Sequence, residues 1–267
     1  MTQKDTPRDK CGKSNQAKMP TETRHVVIYG YTGDELRNIM RHFESQLPEF
    51  VRISIDSNNL VTKITLTGVN PGVELLRFKM NKFQQQLQDM FSEEIVTTDD
   101  KSVPQVLGDL LTERELTVGC AESCTGGNIA HQITRNPGSS AYFLGSVVSY
   151  SNDVKANVLG VSRDDLARHG AVSRQVVEAM AAGASSLMRS DCALATSGIA
   201  GPDGGTKFKP VGTVWMAAKY GSQIATELIH FSGDRDQVIE SATNHVMVML
   251  IRLLRNNYKE QEDINDD

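Results

Sequence analysis

The chain has 267 residues, of which 39% are hydrophobic and 23% charged, so it has enough apolar side chain for a folded core. Its net charge of −5 argues against a nucleic-acid-binding surface that covers the whole chain. The apolar runs are too short for a transmembrane helix, and the first 24 residues lack the apolar segment of a secretory signal. Four cysteines without a C-x-x-C pair indicate a reduced protein, and we expect it to be cytoplasmic.

The first part of the chain predicts a polar tail and a small domain. Residues 1–23 contain almost nothing apolar and predict a disordered tail. Residues 24–100 predict a small α+β domain in β-α-β-β-α-β order. Its elements are a strand over HVVIYG, a helix over 35–45, strands over VRISID and VTKITLTG, a helix over 72–91 and a strand over EIVTT. This order is typical of the ferredoxin-like fold and by itself indicates no function.

The second part, residues 101–256, predicts a three-layer α/β/α sandwich, because strands alternate with helices. The predicted strands are LTVGCA, FLGSVVSY, CALATS, GTVWMAAK and ATELIHF. The predicted helices contain Val106 and Leu107, NIAHQITR, SNDVKANVL, the segment that Ser173 caps, and the segment from about Asp236. Residues 257–267 are polar and predict a frayed acidic tail.

The string ESCTGG, residues 122–127, lies where a predicted buried strand turns into a helix. Sites in α/β folds gather at the carboxyl ends of strands, and free amides at a helix start can hold a phosphate or an oxyanion. A simple turn capped by Ser123 or Thr125 explains the same residues. Cys124 competes with Ser123 as a nucleophile, since a helix N-terminus stabilises a thiolate, although a buried and inert thiol is the simpler state.

A second group of residues spans the next strand end and the helix after it. It contains Tyr150, Asn152 and Lys155. A lysine buried in a cleft has a lowered pKa and can act as a general base toward a serine hydroxyl. The alternatives are a solvated surface lysine and a packed tyrosine.

A glycine-rich loop over residues 196–214 follows the CALATS strand and carries Ser197, Thr206 and two lysines. Its length and composition predict a loop that wraps an anion or another ligand, and the alternative is a long connection between strands. Arg235 either binds a phosphate or forms a surface ion pair. The six histidines form no H-E-x-x-H or H-x-H motif, so we expect no metal site.

Five strings together are far more specific than any one of them. They are AESCTGG, YSNDVK, GAVS, TSGIAGPDGGTKFKPVGTVW and GDR, and in this order they resemble the C-terminal domain of the CinA (competence/damage-inducible protein) family, the nicotinamide-nucleotide amidohydrolase. The resemblance covers about residues 102–255. Residues 25–98 resemble the small KH-type middle domain of full-length members. The sequence does not include the large molybdopterin-binding-like domain of those members, so we expect no pyrophosphatase activity of the kind attached to it.

The resemblance implies hydrolysis of the carboxamide of nicotinamide mononucleotide to nicotinate mononucleotide and ammonia, a salvage step that needs no cofactor or metal. It implies Ser123 as the nucleophile, and Lys155 and Tyr150 as assisting residues. We expect Lys155 to take the proton from Ser123, either directly or with Tyr150 as a bridge. We expect the amides of residues 124–127 to hold the oxyanion. The predicted substrate-binding residues are Cys124, Thr125, Gly126, Gly127, Asn152, Ser197, Gly198, Gly201, Gly204, Gly205, Thr206 and Arg235.

Partners and alternatives complete the expectation. The implied partners are a small-molecule nucleotide and, as a homodimer, a second copy of the chain. A nucleotide-binding module without turnover is the second hypothesis, but a base beside a nucleophile has no use in a pure binder. RNA binding through residues 25–98 is the third, and the scattered basic residues of that segment argue against it.

Overall fold

The computed structural model describes residues 19–31 and 33–265, with side chains described up to residue 256. The strands are β1 (Thr21–Tyr29), β2 (Val51–Asn58), β3 (Val61–Val69), β4 (Ile95–Thr97), β5 (Val118–Glu122), β6 (Phe143–Val148), β7 (Cys192–Gly198), β8 (Thr213–Tyr220) and β9 (Gln223–His230). The helices are α1 (Gly33–Ser45), α2 (Val73–Met90), α3 (Val103–Glu113), α4 (Asn128–Thr134), α5 (Asn152–Leu159), α6 (Arg163–His169), α7 (Arg174–Met188) and α8 (Arg235–Asn265).

The first domain is an α+β unit in which two helices cover one face of a four-stranded sheet. The strand order is β2-β3-β1-β4 and all neighbouring strands are antiparallel. Alternate residues of β3, such as Ile64 and Leu66, are buried against apolar stripes of α1 and α2, as the strand period of two requires. The predicted β-α-β-β-α-β order is confirmed.

The second domain is a three-layer sandwich around a five-stranded sheet of order β6-β5-β7-β8-β9. The first three strands are parallel, and β8 and β9 run antiparallel to their neighbours. In β7, Cys192 and Leu194 face the core under α3, α4 and α8, whereas Ala193 and Ala195 face the core under α7. This alternation places one helical layer on each face, which confirms the predicted α/β/α architecture.

Helix α8 also packs against the first domain. Val27 and Tyr29 of β1 belong to the same buried cluster as the apolar face of α8. The Tyr29 hydroxyl lies 2.8 Å from Nδ1 of His245 on α8, and Arg255 donates to the carbonyl oxygens of Ile95 and Val96. The two sheets therefore share one helix as support.

Two predicted boundaries need correction, and one helix was missed. Strand β1 begins at Thr21, inside the predicted tail, because the backbone of residues 21–23 pairs with residues 67–69 of β3. Residues 1–18 lie outside the described residues. Helix α8 runs to Asn265, so the backbone of the predicted acidic tail is helical over most of its length, where Lys, Glu and Gln favour a helix. Helix α6 was not predicted. Within residues 19–31 and 33–265, no helix is long and apolar enough to cross a membrane.

Candidate active site

Three parallel strands bring the predicted site segments together. Strand β5 lies between β6 and β7 and is parallel to both, so all three end at the same edge of the sheet. The residues that follow them therefore meet there: Ser123 after β5, Tyr150 after β6, and the glycine-rich loop after β7. Strand β5 is also where the order of the sheet reverses, the place where α/β folds form ligand crevices.

Ser123 and Lys155 form a contact pair at this edge. The Nζ atom of Lys155 lies 3.0 Å from the Ser123 Oγ atom and donates to the Ser149 carbonyl oxygen at 2.7 Å. Lys155 is 1% exposed, and burial lowers its pKa below the usual value of 10.5. A neutral amine at hydrogen-bond distance from a hydroxyl can accept its proton, which is the geometry that a serine nucleophile needs.

The local sequence fixes the helix that carries Lys155. Ser151 caps α5, since its side chain accepts from the Val154 amide, and Gly160 ends the helix in the left-handed conformation with φ 70°. Helix α7 packs directly onto the end of α5. A Cβ atom on Gly183 of α7 would lie 2.0 Å from the Leu159 carbonyl oxygen, so only glycine permits this approach. The helix that carries Lys155 is therefore fixed at both of its ends.

Glu122 is a buried acidic residue to which the sequence analysis assigned no role. It ends β5, directly before Ser123, and it is fully buried. Five donors reach its carboxylate: the Thr125 hydroxyl, the amides of Gly127, Ile129 and Ala130, and the Ser146 hydroxyl. The available sequence signal was an acidic residue just ahead of a helix start, where the free amides favour negative charge.

The contacts of Glu122 change the expected oxyanion site. The Gly127 amide donates to Glu122 at 2.9 Å, and the Gly126 amide donates to the Ser123 carbonyl oxygen at 3.2 Å. Both amides are therefore engaged in the folded chain, which corrects the expectation that all four amides of residues 124–127 hold an oxyanion. The amides of Cys124 and Thr125 are the other two of the four, and neither donates to Glu122 or to the Ser123 carbonyl oxygen.

A cavity of about 240 Å³ opens over the Ser123–Lys155 pair. The predicted residues that line it are Ser123, Cys124, Tyr150, Asn152, Lys155, Ser197, Gly198 and Arg235, and Ala171, Val172 and Ala200 line it as well. The predicted residues that lie outside its lining are Thr125, Gly126, Gly127, Gly201, Gly204, Gly205 and Thr206. A larger cavity of about 560 Å³ lies between the two domains, away from Ser123.

Comparison with known proteins places the second domain in a family. A family model described as the CinA C-terminal domain matches residues 100–254, more than half of the chain. The chain belongs to the CinA family. This confirms the resemblance of the five sequence strings.

Two relatives and one solved structure show how far the similarity extends. A CinA-like protein of Flavobacterium psychrophilum is 35% identical over 234 residues, 87% of this chain and 56% of that protein. A CinA-like protein of Geobacter metallireducens is 37% identical over 219 residues, 82% of this chain and 52% of that protein. A crystal structure of a CinA superfamily protein from Klebsiella pneumoniae is 36% identical with a TM-score of 0.56, and the match covers 58% of this chain and 99% of that one. This CinA-family chain spans little more than half the length of the two relatives.

Tyr150 occupies a different place in this CinA-family site from the one expected. Its side chain is 63% exposed, and its hydroxyl accepts from the Arg235 guanidinium at 3.2 Å. Arg235 also donates to the Gly201 carbonyl oxygen, so both side chains lie at the cavity rim. Lys155 contacts Ser123 directly, so the geometry matches the direct route and not the alternative route through Tyr150.

The contacts of Cys124, Ser197 and Thr206 distinguish between the alternatives left open for these predicted residues. Burial raises the pKa of Cys124 to about 12, so its thiolate is scarce near neutral pH, which fits a buried and inert thiol. Ser197 lies in the cavity wall, and its hydroxyl donates to the Ala171 carbonyl oxygen at 2.7 Å. The tip of the glycine-rich loop folds onto itself, because the amide of Thr206 donates to the Lys209 carbonyl oxygen. That contact accounts for the position of Thr206 outside the cavity.

Proposed function

We propose that this protein hydrolyses the carboxamide of nicotinamide mononucleotide to nicotinate mononucleotide and ammonia. The observation that carries the proposal is the buried Lys155 amine 3.0 Å from the Ser123 hydroxyl inside a cavity. A carboxamide carbon is a poor electrophile, so its hydrolysis calls for an activated nucleophile and a preformed oxyanion site. Membership of the CinA family supports the same assignment through the resemblance of the site strings.

In the proposed reaction, Ser123 Oγ attacks the carboxamide carbon while Lys155 takes the hydroxyl proton. The amides of Cys124 and Thr125 stabilise the oxyanion, each donor contributing about 3 kcal/mol in comparable sites. The carbon–nitrogen bond then breaks, and Lys155 returns its proton to the departing ammonia. Water attacks the resulting ester while Lys155 accepts a proton from that water. Lys155 then returns this proton to the Ser123 oxygen as the carbon–oxygen bond breaks, and the acid product leaves as its carboxylate after losing a proton to solvent.

We propose that the nucleotide phosphate binds at the cavity rim. Arg235 is the cation in the cavity lining that faces this entrance beside the exposed Tyr150, and a guanidinium suits a phosphate through paired hydrogen bonds. The carboxamide then lies deeper, near Ser123, with Asn152, Ser197 and Gly198 in the surrounding wall. A homodimer remains an expectation from the family resemblance, and light scattering of the full chain tests it.

The decisive experiment incubates the full chain with nicotinamide mononucleotide and measures ammonia and nicotinate mononucleotide. Ser123→Ala is expected to abolish release and retain the fold. The matched control Ser140→Ala, in the short 3₁₀ helix Ser139–Ala141 and exposed, keeps the native rate. Release that survives Ser123→Ala would contradict the serine mechanism. Tight binding of the nucleotide without release would make a non-catalytic binding module the better assignment.

A further inference from the structure

Glu122 carries an inference that goes beyond the reaction itself. We propose that Glu122 is a positioning residue that holds Ser123 in its reactive geometry toward Lys155. This inference rests on the proposed role of Ser123 as the nucleophile. It adds a residue outside the cavity lining, since the carboxylate of Glu122 is fully buried beneath the turn that begins at Ser123.

The Glu122 carboxylate shapes the nucleophile turn directly. Its Oε2 atom accepts from the Thr125 hydroxyl and the Gly127 amide, both at 2.9 Å, and from the Ile129 amide at 3.0 Å. These contacts anchor the turn at its middle and at its end. Between them Gly126 and Gly127 adopt φ values of 61° and 102°, a tight path that returns the chain into α4.

The polarity of the hydrogen bonds follows from the acceptor-only character of a carboxylate. The Thr125 hydroxyl donates its hydrogen bond to Glu122, so it accepts one from the Thr196 hydroxyl, which lies 2.8 Å away. A directed chain therefore runs from Thr196 on β7 through Thr125 to Glu122 on β5. The Ser123 amide also donates to the Thr196 carbonyl oxygen at 3.0 Å, so the nucleophile is tied to the same two strands.

Glu122 also connects to the segment that holds Lys155. Its carbonyl oxygen accepts from the Ser149 amide at 2.8 Å, and the Ser149 carbonyl oxygen accepts from Lys155 Nζ at 2.7 Å. In its side chain, the Glu122 Oε1 atom accepts from the Ser146 hydroxyl of β6 at 2.9 Å. The backbone link to Ser149 does not depend on the side chain at position 122, so the carboxylate acts on Ser123 through the turn and reaches β6 through Ser146.

An isosteric amide cannot reproduce this arrangement. Glutamine has one acceptor oxygen and one donor nitrogen, and every partner of the Glu122 carboxylate is a donor. The Thr125 and Ser146 hydroxyls can turn to accept, but the backbone amides cannot. In one orientation the NH₂ group of Glu122→Gln meets the Ala130 amide, and in the other it meets the amides of Gly127 and Ile129, so the turn must shift. A small misplacement of a catalytic group lowers a rate by about 100-fold, which is the loss we expect.

The test measures how fast a fluorophosphonate probe labels Ser123 in the full chain, with the labelled peptide identified by mass spectrometry. Ser123 Oγ bonds to phosphorus, fluoride leaves, and Lys155 takes the hydroxyl proton. Labelling needs no nucleotide, so an incorrect substrate assignment does not affect it. Glu122→Gln is expected to label about 100-fold more slowly per folded molecule, and the exposed control Glu113→Gln at the native rate.

Ser146→Ala is the second variant, because it removes one donor to Oε1 and leaves the carboxylate in place. We expect it to fold and to label about fivefold more slowly. A purely structural role would lower the melting temperature and leave the labelling rate of folded molecules unchanged, so native-rate labelling of folded Glu122→Gln overturns the inference. If Glu122→Gln does not fold, native-rate labelling of Ser146→Ala overturns it.

The native chain separates the two proposals. Labelling at Ser123 without ammonia release from nicotinamide mononucleotide would contradict the proposed substrate, and slowed labelling of the variants would then still support the role of Glu122. Absence of labelling at Ser123 in the native chain would contradict both the nucleophile and its positioning residue.

Discussion

Lys155→Met tests the role of Lys155 as the general base of the proposed mechanism. Methionine keeps the unbranched shape of the side chain and removes the amine that lies 3.0 Å from Ser123 and 2.7 Å from the Ser149 carbonyl oxygen. Loss of a positioned general base lowers turnover by a factor of about 10²–10⁴. We therefore expect ammonia release to fall by that factor, which corresponds to about 3–5 kcal/mol of transition-state stabilisation.

The same substitution has a smaller and opposed effect on stability. Removal of the amine leaves the Ser149 carbonyl oxygen without its donor, which costs about 1–3 kcal/mol. It also removes a buried amine whose charged form is penalised by desolvation, as its lowered pKa shows. The two effects offset each other, and we expect the free energy of unfolding to stay within about 2 kcal/mol of the native value.

The pH dependence of this difference has a definite sign. Between the lowered pKa of folded Lys155 and the ordinary lysine value of 10.5, the unfolded chain binds a proton that the folded chain does not. The contribution of Lys155 to native stability therefore rises with pH across that window, and Lys155→Met lacks the rise. Relative to the native chain, the free energy of unfolding of Lys155→Met is therefore highest below this pH window and lowest above it.

The assay combines steady-state ammonia release with urea unfolding monitored by circular dichroism, both at several pH values. Lys82→Met, at an exposed position of α2 in the first domain, is the matched control and should behave like the native chain. Native turnover in folded Lys155→Met would refute the mechanism and place the general base elsewhere.

Three further outcomes follow from the structure. The kcat/KM for nicotinamide mononucleotide should rise as pH passes through the lowered pKa of Lys155, since the base must be neutral, and a profile flat up to pH 10.5 would contradict this. Gly183→Ala should lower the free energy of unfolding by about 3 kcal/mol, because the new Cβ would lie 2.0 Å from the Leu159 carbonyl oxygen. An unchanged midpoint of urea unfolding would show that α7 does not pack this closely on α5. Tyr29→Phe removes the hydroxyl bonded to His245 and should cost about 1 kcal/mol in urea unfolding, and equal stability would argue against this contact between the domains.

Local pattern was enough for most elements. The roles proposed for Ser123 and Lys155 come from the family resemblance of the site strings, and the fold brings these two side chains into contact. The apolar periodicities of β3 and α7 depend on neighbours within a few residues, so the sequence alone predicts them. The site strings place Ser123 after β5 and Lys155 near the start of α5, and parallel strands bring such positions to one edge of a sheet.

The tertiary structure decided the features that depend on distant partners. Residues 21–23 carry no apolar signal, and their strand exists because β3 pairs with them. Tyr150 turns to Arg235, 85 residues away, instead of bridging Ser123 and Lys155. The carboxylate of Glu122 accepts from the Ser146 hydroxyl, 24 residues away on another strand. It also accepts from the Gly127 amide, which is therefore not available to bind an oxyanion. Side-chain direction and hydrogen-bond occupancy are settled by these long-range contacts, because a buried polar group takes whichever partner the fold brings within reach.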